Sequence, residues 1–519
     1  MRTYSLLKRI IFSIIFTYFS IGFNFAQKKP DVYFPVKAEL FKAKKTALDF
    51  LDDSLNVKKF GIISDAIWNY AELGMQEYKS SAILIKTLED AGFKVEKGVA
   101  GMPTCFVASW GSGKPVIGIL GEFDALPMLS QKALSPVQDP LVAGAPGHGC
   151  GHNMMGTAGV AAAIAVKKSL EQNNLQGTIK FFGSPAEETV ISKPYMVRAG
   201  LFKDVDAVID NHASSDLSTS YGVNGSAVMS VVFSFKGITA HAAVSPWTGR
   251  SALDGVELMN VATNYLREHL FYTYRLHYVI TEGGEAPNVV PDKASVWYYI
   301  RNTDERLAEM YGRVLDCAKG AALASGTTLD TVNVITAIHQ RHSNKGMAEA
   351  IQRNIELIGM PVWTDQEQVF AKSLQKELGE KETGYALKVK SLSIPSETQE
   401  GGGSSDVGDV TLVAPTATLN FPGGVPGEIG HHWSTVTSGY GSAAWKGLNT
   451  GAKVMAATAL DLITKPKLLE DIKVEFALYS KDHPYKSFLP DGATPPLNLN
   501  KELMDKYRDA MLHLEADRK

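Results

Sequence analysis

A chain of 519 residues with 45% hydrophobic and 21% charged residues has the make-up of an ordinary globular protein of two or three domains. A net charge of −3 supplies no basic field for nucleic acid or an anionic membrane, and phosphate-binding Gly-rich loops and zinc-finger cysteine pairs are absent. Three cysteines, Cys105, Cys150 and Cys317, are too few for a disulfide scaffold.

Residues 1–26 have the layout of a secretory signal peptide. Arg2, Lys8 and Arg9 precede the apolar run Ile10–Phe23, and Ala26 offers a small residue before a polar stretch. This predicts cleavage, export across the inner membrane, a periplasmic location and no membrane attachment afterwards. Apolar positions at helical spacing, among them Ile62, Ile63, Ile67, Ile83, Leu84 and Leu88, predict helix over 58–98. Pro115–Leu120 reads as a buried strand leading into Gly121-Glu122-Phe123-Asp124-Ala125-Leu126-Pro127, and an Ala-rich helix is expected over 154–170. Thr178–Phe182 and Ala207–Ile209 read as further buried strands, leading to Glu187-Glu188 and to Asp210-Asn211-His212. Strands alternating with helices imply an α/β domain with a mostly parallel sheet, its polar candidates just past strand C-termini, where such sheets place ligands.

From Ser226 the pattern changes. Segments 226–235, 252–268, 276–281, 294–300, 305–325 and 332–337 give the order β-α-β-β-α-β of a ferredoxin-like unit, whose sheet edges suit pairing with a second copy. The expected layout is one α/β domain split into 27–225 and 343–465, an inserted α+β unit at 226–342, and a charged, Pro-containing extension at 466–519 that wraps the surface. Within the second part, 400–406 reads as a Gly-rich loop, Thr416–Phe421 as a strand, His431-His432 as part of a loop and 441–463 as a helix.

Chemistry gathers at the strand ends. Cys150-Gly151-His152 lies in a Gly-rich loop that opens a helix, with His148 two residues earlier. Glycine lets the backbone fold tightly enough to aim neighbouring side chains at one point, and a helix N-terminus favours a thiolate. Glu187 and Glu188 follow an apolar strand and a Gly-Ser-Pro turn, a poor place for a solvated pair. Near a metal, one such carboxylate neutralises the cation while the other keeps a proton-accepting task. Cys150, His152, Glu188, His212 and one of His431 or His432 offer five ligands, more than one catalytic zinc takes from a protein, which suits two metals. Thiolate, imidazole and carboxylate together fit a borderline-soft ion such as Zn2+, and the spare Glu187 makes the set that a hydrolase needs. In the inserted unit, His241 can donate to a carbonyl oxygen as charge develops, and Asn288, Arg250 and Arg301 can clamp a carboxylate. A Cys150 nucleophile and a non-catalytic metal-binding module are the competing readings; the latter has no use for a spare base.

Together with Gly237–Ala242, Gly249–Asp254, Asn288-Val289-Val290-Pro291 and Ser405–Val410, these segments resemble the dinuclear-zinc metallopeptidases that include aminoacylases, carboxypeptidase-G-like enzymes and indole-acetyl-amino-acid hydrolases. The resemblance runs over about residues 55–465. It implies a mostly parallel-sheet zinc-peptidase catalytic domain with an inserted ferredoxin-like dimerisation (lid) domain, and two Zn2+, with Mn2+ as the alternative. It assigns Cys150, His152, Glu188, His212 and a late histidine as ligands. His431 is preferred over His432 because relatives show His, one variable residue, then Trp or Pro. It assigns Glu187 as general base, His241 as the residue that reaches a neighbouring subunit's site, and Asn288 and Arg301 as substrate-binding. It implies a homodimer, leaves room for a partner subunit, and points to hydrolysis of the amide bond of N-acyl or N-aroyl amino acids, an aminobenzoyl-glutamate-like compound first. A broad dipeptidase or aminoacylase is the runner-up. Asn153 stands where many relatives carry Asp, which removes one anionic bridge between metals; the export signal is a second departure.

Overall fold

The computed structural model describes residues 38–395 and 402–516. The signal-peptide segment 1–26 and, in the Gly-rich loop, Glu400 and Gly401 lie outside the described residues. Seven described strands build the larger sheet: β1 (Lys94–Lys97), β2 (Phe106–Ser112), β3 (Val116–Glu122), β4 (Gly177–Ser184), β5 (Ala207–Ser214), β6 (Ser218–Thr219) and, far along the chain, β13 (Thr416–Pro422). Their order is β1-β2-β4-β3-β5-β13-β6. The four central strands β4, β3, β5 and β13 run parallel, and the pairs toward both edges are antiparallel. All seven residues of β3 are buried, as expected of a central strand covered on both faces. The helices His152–Gln172 and Ser442–Thr464 pack on one another and on the sheet. Small residues let them approach: a Cβ on Gly447 would lie 2.1 Å from the Pro422 carbonyl oxygen.

The helix expected over 58–98 is interrupted. It is two helices, Ser54–Tyr70 and Tyr78–Asp90, followed by β1. Ala71 ends the first in a left-handed conformation (φ 38°), and the Glu72 carboxylate then accepts from Lys79 N and Ser80 N to cap the second. Apolar spacing runs across the break, so periodicity alone merged the pieces.

The inserted unit is entered and left through the short antiparallel pair β7 (Gly222–Asn224) and β12 (Arg341–Ser343). Between them, β8 (Ala227–Lys236), β9 (Arg275–Glu282), β10 (Lys293–Asn302) and β11 (Thr328–Ile338) form an antiparallel sheet ordered β11-β8-β10-β9. Helices Ala252–Leu266 and Asp304–Ser325 pack against it. Alternation along β10 buries Val296, Tyr298, Ile300 and Asn302, leaving Trp297, Tyr299 and Arg301 half-buried on the opposite face.

The C-terminal extension does more than coat the surface. Its helices Pro466–Asp482 and Lys501–Ala516 bracket a segment whose Leu497 and Leu499 carbonyls accept from Gln76 Nε2, and Arg508 pairs with Glu72 at 2.9 Å. Among the described residues, no helix is long and apolar enough to cross a membrane.

At the junction between inserted unit and extension, Asp304 Oδ2 lies 2.9 Å from His342 Nε2 and 3.4 Å from His339 Nδ1, and His339 stacks on Phe488. Burial works against the Asp304 anion, but the two imidazoles beside it, His339 at 3.4 Å and His342 in hydrogen-bond contact, outweigh burial and draw its pKa to about 2. A carboxylate with a depressed folded pKa adds stability above its unfolded pKa and loses it as pH falls through the folded one. Asp304→Asn is therefore expected to cost about 2 kcal/mol near pH 6, with the deficit shrinking below about pH 4. Urea unfolding of variant and wild type across that range would check it; a pH-independent difference would reject the ion-pair account.

Candidate active site

The parallel strands deliver the site from their C-terminal ends. Glu122 closes β3 and Asp124 follows two residues on; Glu187 and Glu188 open a 3-10 turn just past β4; His212 lies near the end of β5. Cys150 and His152 flank Gly151, which adopts φ 81° as the helix N-cap and whose Cβ, if present, would lie 2.7 Å from that of Ala213. Ala186 (φ 55°) and Val190 (φ 54°) are left-handed on either side of the glutamates, and His431 (φ 56°) is left-handed as well. Such conformations cost about 1–2 kcal/mol per non-glycine residue and persist where surrounding bonds impose them. Here Ala186 N donates to Glu77 Oε1, Thr336 Oγ1 donates to the Val190 carbonyl, and His431 N donates to the Gly149 carbonyl.

These turns bring five predicted ligands to one place. Cys150, His152 and His212 offer donor atoms within 4.8 Å of one another, and so do Cys150, Glu188 and His431. Cys150 Sγ is 3.3 Å from His212 Nε2, and His431 Nε2 is 3.2 Å from Glu188 Oε2. Asp124 Oδ1 accepts from His152 Nδ1 at 2.9 Å, and the Ala213 carbonyl sits 2.6 Å from His212 Nδ1, so each ring turns Nε2 toward the cluster. A carboxylate or carbonyl behind the imidazole is the usual way to fix a ligating histidine's tautomer. His152 Nε2 and Glu188 Oε1 are buried without a hydrogen-bond partner. Orphaned donors of this kind, on soft and hard ligands together, fit a divalent metal.

Electrostatics agree with that fit. Burial, then Glu188, pushes the Cys150 thiol up to about 12, so the expected helix-terminus stabilisation of a thiolate is outweighed in this buried setting. Burial first, then neighbouring carboxylates, raises Glu188 well above the usual range, and burial raises Glu187. Burial and the charge of His152 lower His212 to about 4, leaving a neutral imidazole at neutral pH.

The remaining predicted residues separate. His432 caps the helix Trp433–Ser438 and holds Ser434, while His431 faces Glu188. His148 is buried against the Ile67 carbonyl, outside the ligand groups. Asn153 donates to Ser64 Oγ and the Gly439 carbonyl, a task a carboxylate could not perform. His241 is exposed, its Nδ1 facing Ala243 N and Val244 N, and Ala242 N donates to the Asn288 carbonyl, so these two candidates share one surface loop pair. Arg250 Nη1 donates to the Gly249 carbonyl. Arg301 Nη1 donates to Ser404 Oγ, and its guanidinium lies in the field of Glu187. Sequence alone assigned no role to Asp124, Glu122, Asp406, Glu77 or Lys193. Glu122, Asp124 and Asp406 stand inside the motifs, but only folding reveals which atoms they meet.

Known proteins point the same way. Residues 118–516 match the model of Peptidase family M20/M25/M40. The chain is 38% identical over 473 residues to a subunit of the p-aminobenzoyl-glutamate hydrolase of Escherichia coli, covering 86% of this chain and 98% of that protein. It is 30% identical over 455 residues to Xaa-Arg dipeptidase of Mus musculus, covering 85% and 93%. In fold it is similar to the aminobenzoyl-glutamate utilization protein of Klebsiella pneumoniae (TM-score 0.54, 16% identity, 82% and 98% covered). It is likewise similar to a Bacillus subtilis dinuclear metal binding peptidase (TM-score 0.51, 17% identity, 80% and 99% covered). With a family match across most of its length and a relative matched nearly end to end, the chain belongs to Peptidase family M20/M25/M40 and is a metallohydrolase of amide bonds.

Proposed function

We propose that Cys150, His152, Glu188, His212 and His431 hold two metal ions, Zn2+ or Mn2+, and that Glu187 is the general base in hydrolysis of an N-acyl or N-aroyl amino acid. The carrying observation is the pair of donor groups that share Cys150, with His152 Nε2 and Glu188 Oε1 left unpaired inside them. Metal held there supplies Lewis-acid polarisation of the amide carbonyl and lowers the pKa of water. Glu187 belongs to neither Cys150 group, so its carboxylate is free to take a proton from the attacking water and deliver it to the leaving amine. Arg301 clamps the substrate carboxylate, and Asn288, on the loop pair it shares with His241, reaches it from a second copy. His241, exposed on its loop, serves the site of a second copy as oxyanion donor. Leu258, Val261 and Tyr265 on one helix and Val279 and Ile280 on β9 are exposed apolar residues that suit a homodimer face. The reading includes export to the periplasm after loss of residues 1–26. A partner of different sequence is part of it too, because the Escherichia coli relative is named as one subunit of its hydrolase.

A p-aminobenzoyl-glutamate-like compound is the first substrate, supported by the 38% identical relative; a dipeptide is the second, supported by the Xaa-Arg dipeptidase likeness. The test is turnover of p-aminobenzoyl-glutamate and of simple dipeptides by the chain Gln27–Lys519, with chelator and with metal returned. Chelator-sensitive release of p-aminobenzoate is expected. Metal-dependent turnover of dipeptides alone would move the substrate class, and chelator-insensitive turnover would overturn the metal mechanism.

A further inference from the structure

Lys193 is fully buried, an expensive position for an ammonium. Its Nζ lies 2.6 Å from Glu122 Oε1 and 2.5 Å from Asp406 Oδ1. Those two carboxylates face different parts of the site. Glu122 turns its other oxygen to within 3.4 Å of His152 Nε2, and Glu122, His152 and Glu187 form a third close group of donor atoms. Asp406 Oδ2 accepts from Lys193 N and Ser192 Oγ, which pins the first turn of the helix that begins four residues after Glu188. Two residues before Asp406, Ser404 accepts from Arg301. One buried cation thus joins the end of β3, the segment after the glutamate pair and the loop that touches the inserted unit.

We propose that Lys193 is a positioning residue for hydrolysis. Its ammonium holds Glu122 in a single orientation beside His152 and Glu187, and fixes the Asp406 loop against them. This role rests on the function proposed above. A structural staple alone has no need of the charge, because buried ion pairs are commonly replaced by neutral groups of similar volume without loss of stability. Without the ammonium, the Glu122 carboxylate is free to rotate among like-charged neighbours, and a displacement of about 1 Å in a catalytic array costs about 100-fold in rate.

Two variants separate the roles. Lys193→Met leaves Glu122 and Asp406 unpaired in the interior and is expected to lower Tm sharply. Lys193→Met combined with Asp406→Asn removes one positive and one negative charge, leaves Glu122 as the one carboxylate without its cation, and is expected to recover part of the lost Tm. Metal content of the double variant should equal that of wild type, and KM should stay within about threefold, while kcat falls about 100-fold. Recovery of kcat together with Tm would overturn the role and leave a staple; loss of bound metal in the double variant would overturn it in favour of metal retention. A wild type without metal-dependent turnover would overturn the functional reading and this role with it. Wild-type turnover matched by the double variant removes only Lys193.

Discussion

Glu187→Gln is expected to lower kcat by about 10³-fold while metal content and KM stay near wild type, because the amide keeps the shape of the side chain and cannot accept a proton. Position makes this variant clean. The Glu187 side chain is 11% exposed, with Oε2 3.8 Å from His152 Nε2, and neither Cys150 group needs it. Glu188→Gln is the contrast: it weakens a group containing Cys150 and His431 and should lose metal first, with activity following. Stability should move the other way for Glu187. Burial raises its folded pKa, so its ionised form is disfavoured in the folded chain at any pH above the unfolded value. Neutral Gln removes that cost, and the metal-free variant should melt no lower than metal-free wild type at pH 7. Metal analysis, thermal melting and steady-state kinetics on one preparation decide the matter. A metal-loaded Glu187→Gln enzyme with kcat within tenfold of wild type would exclude Glu187 as the base.

How far the sequence foretold this site depends on the kind of information each residue carries. Cys150, His152, Glu188 and His212 were legible because each lies at the end of a buried apolar strand or in a Gly-rich turn, and strand ends of a parallel sheet converge. His431 over His432 was legible only through family spacing; the physical reason is that a left-handed backbone at His431 sends one ring to Glu188 and leaves the next to cap a helix. The inserted unit was read in the right order from β8 through β11, with β8, β9, β10 and both helices bounded to within two residues; β11 begins at Thr328, four residues before the expected 332, because its mostly exposed start carries little apolar signal. The hairpin β1–β2 was missed because the helix expected over 58–98 ran on through Lys94-Val95-Glu96-Lys97, a short charged edge strand with one apolar residue to mark its period. Glu72, Glu77, Lys193 and Asp406 could not be assigned from local pattern. Their partners lie far away in the chain, as with Lys193 and Asp406, 213 residues apart, or Glu72 and Arg508, 436 residues apart.

Chelation is expected to abolish turnover and lower Tm, with both restored by Zn2+ or Mn2+, and the Tm loss should grow as pH rises. The reason is the charge that the site gathers. Glu122, Asp124, Glu187 and Glu188 share one buried basin beside the Cys150 thiol. Burial holds Cys150 up near 12 and Glu188 well above its usual range, so the metal-free site keeps protons that ligation must displace. Groups with raised folded pKa values favour the folded metal-free chain at low pH and disfavour it once pH exceeds their unfolded values. Metal binding is therefore weaker in acid, releases protons, and stabilises most at high pH. A metal at 1,000 times its dissociation constant adds about 4 kcal/mol to folding. Calorimetric titration in two buffers of different ionisation enthalpy counts the protons, and melting with and without chelator at pH 6 and pH 8 reads the stability. Chelator-insensitive turnover that iodoacetamide abolishes would instead make Cys150 the nucleophile, and its 3.3 Å approach to His212 would become a thiol–imidazole pair rather than two arms of a metal site.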